Sequence, residues 1–299
     1  MALILPLLSF LIGYWGVQYL KPVRPLLASL LARVLIPVLI IYNMVFYQEG
    51  SLWLIAFSFF CSCLFFALFY FTLKNKLRAL CLSYLNGAWL GIPFALAVFG
   101  PQATSTVVAL YIGGSLFGNV CAVMAVSEAR QDSGYILKNV LLSPPVVALS
   151  VAALLSFWDL SHWQQVAWVE MLYQANKVLV TFSGMCVLGM WLSNVRISRF
   201  DLMCSLQLIF YRGLFAVLLC VVAYYYLPIP QQTLTYAVML MFFLLPPAAN
   251  IVALETHYQG TGHSAKYIAS GTLASAILIA LYGVIMHVIL AKIMDSTSL

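Results

Sequence analysis

Charged residues are scarce in this sequence. They make up 7% of its 299 residues, whereas 64% are hydrophobic, and a typical soluble domain carries about 25% charged residues. A water-soluble chain of this length could not cover its surface with so few charges. The composition therefore excludes an ordinary cytosolic enzyme, a nucleic-acid-binding protein and a disordered regulator, and leaves an integral membrane protein.

Acidic residues are missing from the middle of the apolar runs. The eight carboxylates lie in loops or near the ends of runs: Glu49, Glu128, Asp132, Asp159, Glu170, Asp201, Glu255 and Asp295. Paired histidines at membrane depth and an ATP-binding loop are also missing. These absences argue against an intramembrane enzyme, primary active transport by this chain alone and a carboxylate proton relay. No catalytic residue, metal ligand or cofactor is predicted.

A signal peptide is not predicted, because the first apolar run has no basic residue before it and is followed by Lys21 and Arg24. That is the reverse of the order in a signal peptide. Cysteines are few and all fall in apolar runs, where we expect small core residues rather than a redox or metal site. They are Cys61, Cys63, Cys81, Cys121, Cys186, Cys204 and Cys220.

Long apolar runs dominate what is present. A transmembrane helix needs about 20 apolar residues, and the runs are continuous rather than alternating, which excludes a β-barrel. We predict an all-α protein with ten spans at 3–20, 25–46, 51–73, 79–99, 104–128, 140–157, 170–193, 203–226, 233–254 and 266–292.

Basic residues between the spans are strongly asymmetric. The odd-numbered loops carry ten: Lys21, Arg24, Lys74, Lys76, Arg78, Arg130, Lys138, Arg196, Arg199 and Lys266. The other side carries only Lys292, in the C-terminal tail. Because positive loops stay in the cytoplasm, we expect a cell-membrane protein with both termini outside. Trp53, Trp158, Trp163 and Trp168 would belong to the outer interfacial belt.

The spans divide into two sets of five, at about 1–128 and 139–295, within one membrane domain over 1–299. An odd number of spans per set gives the two sets opposite orientations. Arg33-Val34-Leu35 in the second span matches Lys177-Val178-Leu179 in the seventh, and Tyr111-Ile112 in the fifth matches Tyr267-Ile268 in the tenth. These matches favour a 5+5 inverted repeat, an architecture of many secondary transporters.

The fourth and ninth spans are interrupted at corresponding places. The fourth contains Asn86-Gly87 and Gly91-Ile92-Pro93, and the ninth contains Pro246-Pro247 and Asn250. Glycine and proline weaken helices, and matched breaks in two repeats indicate a binding site at the membrane midplane. We therefore predict that Asn86, Gly87, Pro93, Pro246, Pro247 and Asn250 form a substrate site. The alternative is two proline-kinked helices with buried, hydrogen-bonded asparagines.

Three basic residues lie inside spans: Arg33, Lys177 and Arg212. With no deep carboxylate to neutralise them, an anionic substrate is the functional interpretation, so all three are candidate substrate ligands. The alternative for Arg33 and Lys177 is that they extend to the headgroups. Coupling to H⁺ or Na⁺ stays open, since sodium sites can use backbone carbonyls and hydroxyls.

Several of these motifs, in this order, resemble those of the auxin efflux carrier family of permeases. They are Ile36-Pro37, the segment Asn86–Pro93 followed by Phe99-Gly100, Ser143-Pro144-Pro145, Leu188–Leu192, and Pro247–Asn250 continuing through Tyr258. The resemblance implies ten spans in an inverted repeat, with the fourth and ninth crossing near the midplane. It also implies transport of an organic anion, such as an auxin-like acid or a mono- or dicarboxylate.

The sequence departs from the plant exporters of that family in two ways. Leu85 stands where they have a proline, and the central loop is only about residues 128–139. Both departures indicate a compact bacterial-type permease. The alternatives are a sodium-coupled bile-acid-type symporter and a non-transporting membrane scaffold or receptor. The expected partners are the lipid bilayer and the anion, and Gly114-x-x-x-Gly118 allows either internal packing or a homodimer contact.

Overall fold

A computed structural model describes residues 4–46, 50–126, 133–158, 160–193, 197–229, 233–259 and 262–297. These ranges are mostly α-helix and contain no β-strand. In chain order the helices are α1 (Ile4–Trp15), α2 (Val17–Leu20), α3 (Arg24–Leu30), α4 (Ile36–Val45), α5 (Ser51–Leu73), α6 (Lys76–Ser83), α7 (Ile92–Phe99), α8 (Thr104–Val126), α9 (Ser133–Leu141), α10 (Pro144–Leu155), α11 (Ala167–Leu192), α12 (Arg199–Tyr226), α13 (Thr233–Phe242), α14 (Asn250–Gln259) and α15 (Ser264–Thr297).

Six helical segments in the described ranges are long and apolar enough to cross a membrane. They are Arg24–Val45, Ser51–Leu73, Pro101–Ala122, Ala167–Leu192, Arg199–Tyr226 and Ser264–Val288. Four shorter apolar helices accompany them, at Ile4–Trp15, Gly87–Phe99, Pro144–Leu155 and Thr233–Phe242. Each of these ten segments overlaps one of the ten spans predicted from the sequence. The chain is therefore an all-α, membrane-embedded protein, as its composition predicts.

Two π-helical segments each lie directly before an Ile-Pro pair. Leu31–Leu35 precedes Ile36-Pro37, and Gly87–Gly91 precedes Ile92-Pro93. Proline cannot donate a backbone hydrogen bond, and its ring clashes with the carbonyl four residues earlier. A wider turn before the proline accommodates that clash, which explains why both widened turns occur at these two positions.

The helices pack in pairs, two of which are brought close by glycines. The main contacts join α1 to α11, α4 to α10, α5 to α8, and α12 to α15. A Cβ atom at Gly13 would lie 2.0 Å from the Cys186 carbonyl oxygen, and one at Gly113 would lie 2.1 Å from that of Ile55. The backbones of α1 and α11, and of α5 and α8, thus touch where a larger residue could not fit.

Polar contacts hold the N-terminal end of α15. The buried Glu255 carboxylate accepts from the backbone N–H groups of His263 (2.7 Å) and Ser264 (2.8 Å), which are donors that a helix start leaves unpaired. Asp201 and Lys266 form an ion pair of 2.8 Å between α12 and α15. Glu255 thus caps the start of α15, a role not predicted from the sequence.

Some sequence predictions concern residues outside the described ranges. These are the loop residues Glu49, Glu128, Arg130, Asp132, Asp159 and Arg196.

The four tryptophans assigned to the outer belt are all exposed on the helical bundle. All seven cysteines are free thiols and are buried or half-buried.

Candidate functional site

The two broken helices meet at their breaks. Leu85 and Pro247 form an isolated antiparallel bridge. The Asn86 backbone N–H donates to the Pro246 carbonyl (2.8 Å), and the Ala248 N–H donates to the Tyr84 carbonyl (2.9 Å). Each extended segment thus supplies hydrogen bonds that the other lost on leaving its helix.

The local sequence explains where each helix stops. Pro246 and Pro247 cannot donate within a helix, and α13 tightens before them through bonds such as Leu245 N–H to Phe242 O (3.2 Å). On the other side α6 ends at Ser83, and Asn86 caps the next helical segment, its side-chain oxygen accepting from the Trp89 N–H (3.2 Å). Both interruptions predicted from glycine, proline and asparagine are therefore present.

Arg212 contacts the ends of both interrupted helices. Its side chain is fully buried, and its Nε and Nη1 donate to the carbonyls of Phe243 (2.6 Å) and Leu82 (3.0 Å). Its Nη2 also donates to the Leu245 carbonyl. These carbonyls lie in the last turn of α6 and just after α13, where helix ends leave acceptors unpaired and carry partial negative charge. One guanidinium thus binds the ends of both half-helices.

A cavity of about 190 Å³ lies beside the paired breaks. It contains three asparagine side chains, Asn86, Asn119 and Asn250, and the described residues that line it include no charged side chain. The others are Ala32, Tyr84, Leu85, Gly87, Ala88, Trp89, Tyr111, Ser115, Ser143, Pro144, Pro145, Ala248 and Ala249. The wall is therefore polar but formally neutral.

One side-chain donor of the residues that line this cavity has no hydrogen-bond partner among the described residues. The Asn119 side-chain amide nitrogen is buried and has no hydrogen-bond partner among the described residues. The Asn250 amide donates to the Tyr84 hydroxyl (3.0 Å), which holds α14 against the first break. Unpaired buried polar groups are costly, so the Asn119 amide is a strong candidate for contact with a ligand.

Close packing fixes the shape of the cavity. A Cβ at Gly118 would lie 2.2 Å from the Tyr84 ring, and one at Gly87 would lie 3.0 Å from the Phe242 ring. A Cβ at Gly184, in α11, would lie 2.4 Å from the Trp89 carbonyl oxygen. The Gly118 of the predicted small-residue motif thus serves packing within the chain, where it accommodates Tyr84.

The structure separates the predicted site residues into two groups. Asn86, Gly87 and Asn250 line the cavity, and Pro246 and Pro247 belong to the paired break. Pro93 lies one helical turn beyond Trp89, near Gly184.

The three basic residues predicted for the site are not among those that line this cavity. Arg33 is exposed on its helix, and Arg212 lines a separate space of about 30 Å³ with Arg78 and Ser205. Lys177 lines a third space, between α1, α7 and α11. None of the three in-span cations thus lies among the residues that line the cavity at the breaks.

Three cavity residues absent from the sequence prediction lie on one helix. Tyr111, Ser115 and Asn119 are four residues apart along α8, so they share one helical face. That polar stripe in an otherwise apolar span is a signal that sequence reasoning could have used.

The described residues contain no group of three or more His, Cys, Asp or Glu side chains placed to hold a metal ion.

Comparison with known proteins adds no identification. No protein-family model matches the chain, and no curated protein is significantly similar to it. Its function has to be argued from the site.

Proposed function

We propose that this chain is a secondary transporter that moves a small organic anion across a membrane. The observation that carries the proposal is the pairing of two broken helices beside an amide-lined cavity. Irregular backbone inside a membrane protein is tolerated where it is buried in protein or lines a wet cavity, and discontinuous helices are the usual substrate sites of secondary transporters.

The helix contacts support a 5+5 inverted repeat. In such a repeat, α1, α4, α5 and α8 of the first half correspond in order to α10, α11, α12 and α15 of the second half. The contact between α1 and α11 then has the contact between α10 and α4 as its symmetry counterpart. The contact between α5 and α8 likewise has the contact between α12 and α15 as its counterpart. All four contacts are present. The ten apolar helical segments would then be ten crossings, with the paired breaks near the midplane.

The cavity favours a small substrate with one negative charge. Its volume of about 190 Å³ is below the roughly 300–1,000 Å³ of drug-sized sites. The Asn119 amide offers an unpaired hydrogen-bond donor, and the helix start at Asn86 carries partial positive charge. The described residues that line the cavity include no lysine or arginine to balance a second negative charge. A monocarboxylate therefore fits better than a dicarboxylate.

A neutral polar solute is the second candidate, because the lining residues carry no formal charge. Asparagine side chains donate and accept equally well, so the cavity could hold an amide or an alcohol. The two candidates differ in how much binding depends on the negative charge of the solute.

Thermal unfolding of the purified protein tests the proposal. Solutes would be compared as matched pairs, each a monocarboxylate and its primary amide, with dicarboxylates alongside, in the presence and absence of Na⁺. A ligand of the folded state raises its apparent stability. We expect at least one monocarboxylate to raise the unfolding temperature more than its amide and more than the dicarboxylates. A larger shift with the amides would favour the neutral solute, and no shift with any carboxylate would contradict the proposal.

A further inference from the structure

Lys177 is a buried cation that does not line the cavity at the paired breaks. It is the eleventh residue of α11, and only 6% of its surface is exposed. An ammonium group removed from water needs acceptors or a counterion, because burying an unpaired charge is costly. Its surroundings therefore indicate what it binds.

The protein supplies only part of that compensation. The Lys177 ammonium lies 4.3 Å from the centre of the Tyr173 ring, a cation–π contact that supplies partial negative charge but no acceptor oxygen for its three N–H donors. Among the described residues, no carboxylate oxygen lies within 4.0 Å of its ammonium nitrogen. The nearby Glu170 carboxylate instead accepts from the Tyr42 hydroxyl (3.2 Å) and from Gln174.

Lys177 lines a groove of about 270 Å³ between α1, α7 and α11. The rest of the groove is mostly apolar and includes Leu5, Pro6, Leu96 and Val178. Thr181 also lines it, but its hydroxyl donates to the Lys177 backbone carbonyl (2.9 Å). The groove thus combines one buried positive charge with a long apolar wall.

We infer that this groove is a second binding site, which holds a single-chain alkyl carboxylate. The acid group accepts hydrogen bonds from the Lys177 ammonium, and the alkyl chain lies along Leu5, Leu96 and Val178. Charge complementarity selects an anion, and the apolar wall selects an alkyl chain over a small polar acid. The volume is below that of drug-sized sites, which favours one short chain over the two chains of a phospholipid.

Equilibrium binding of radiolabelled decanoate to the full chain in a non-ionic detergent tests the inference. We expect unlabelled decanoate to compete at least about tenfold better than either decanol or acetate, since decanol lacks the charge and acetate lacks the chain. Equal competition by acetate or by decanol would overturn the inference. Full displacement by phosphatidylglycerol at the same concentration as decanoate would do so too, because the site would then be a phospholipid site.

Two variants locate the site. Lys177→Gln removes the charge and should weaken decanoate binding about tenfold or more, whereas Lys21→Gln, at an exposed lysine, should leave it unchanged. Val178→Trp keeps Lys177 and fills the groove, so it should block decanoate even if Lys177→Gln fails to fold. Decanoate binding equal to that of the unaltered protein in either folded groove variant would contradict the inference.

The groove and the central cavity can be tested separately. Asn119→Ala should keep decanoate binding, and Lys177→Gln should keep whatever stabilisation small carboxylates confer through the central cavity. Loss of decanoate binding in Asn119→Ala would mean that there is one site, at the breaks, and that the groove is not a site.

Discussion

Arg212 is the largest fully buried side chain among the described residues, and its three hydrogen bonds go to backbone carbonyls and not to a carboxylate. A helix that stops inside a membrane leaves acceptors that water cannot reach. The guanidinium has five donors in a rigid planar arrangement, so one residue can satisfy the ends of two helices. We interpret Arg212 as a residue that positions the breaks and so acts indirectly on the cavity.

Replacing Arg212 by methionine should destabilise the protein strongly. Three buried carbonyls would lose their donors, and each unpaired buried group costs about 1–3 kcal/mol, so we expect a loss of about 3 kcal/mol or more in the free energy of unfolding. Lysine should restore only part of it, because an ammonium cannot span the three carbonyls. Thermal unfolding in detergent measures the effect, with Arg199→Met, at an exposed arginine of the same helix, as control. Unchanged stability in Arg212→Met would contradict the interpretation that Arg212 positions the two breaks.

Asn119 should behave in the opposite way. Its amide nitrogen has no partner among the described residues, so Asn119→Ala should leave stability unchanged or slightly raised. If the amide contacts substrate, its loss should weaken monocarboxylate binding about five- to tenfold, equivalent to roughly 1 kcal/mol. Ligand-induced thermal shifts test this, with Ser150→Ala, at an exposed serine of α10, as control. Undiminished binding would remove Asn119 from the site.

Residue types alone indicated part of this site. Asn86, Gly87 and Asn250 line the cavity as predicted, because glycine, proline and asparagine mark helix breaks by local chemistry. The partners of Arg212 could not be predicted, since backbone carbonyls occur at every residue and only the tertiary fold selects three of them. Arg212, predicted from the sequence as an anion ligand, instead binds three backbone carbonyls.

Helix interruptions follow from the sequence more directly than the contacts between helices do. The Ile-Pro pairs coincide with both widened turns, and Pro246-Pro247 coincides with the second break. The hydrogen bonds between the two breaks join residues that are 160 (Asn86 and Pro246) and 164 (Tyr84 and Ala248) positions apart in the sequence. Composition and periodicity contain no such information, although the matching positions of the breaks suggested it.

Two adjacent glycines in α8 differ in whether a neighbouring helix leaves room for a larger side chain. A Cβ at Gly113 would lie 2.1 Å from the Ile55 carbonyl oxygen, whereas one at Gly114 would meet nothing closer than 3.6 Å. Gly113→Ala should therefore push α5 and α8 apart and cost about 1–3 kcal/mol. Gly114→Ala should be neutral or stabilising by up to about 1 kcal/mol, because alanine favours helix. Unfolding temperatures of the two variants test this, and equal effects would contradict the helix contact.

The molecule as a whole is an apolar bundle whose orientation rests on its loop charges. Ten basic residues on one side against one on the other predict that the turn at Asn75 faces the cytoplasm and Ser161 faces outside. A background without the seven native cysteines, carrying Asn75→Cys or Ser161→Cys, tests this in intact cells. A membrane-impermeant thiol reagent should label only the second, and labelling of Asn75→Cys from outside would reverse the orientation.

Transport itself is the central claim, and uptake into proteoliposomes measures it most directly. Vesicles containing the purified protein would be preloaded with an unlabelled monocarboxylate that stabilises it, and exchange of the labelled acid would be followed. We predict saturable uptake that depends on the protein and falls to the level of empty vesicles in the Asn86→Ala, Asn250→Ala double variant, which should stay folded. Uptake by the double variant equal to that of the unaltered protein would contradict the site. Absence of exchange by the unaltered protein, for every carboxylate that binds, would contradict the transporter.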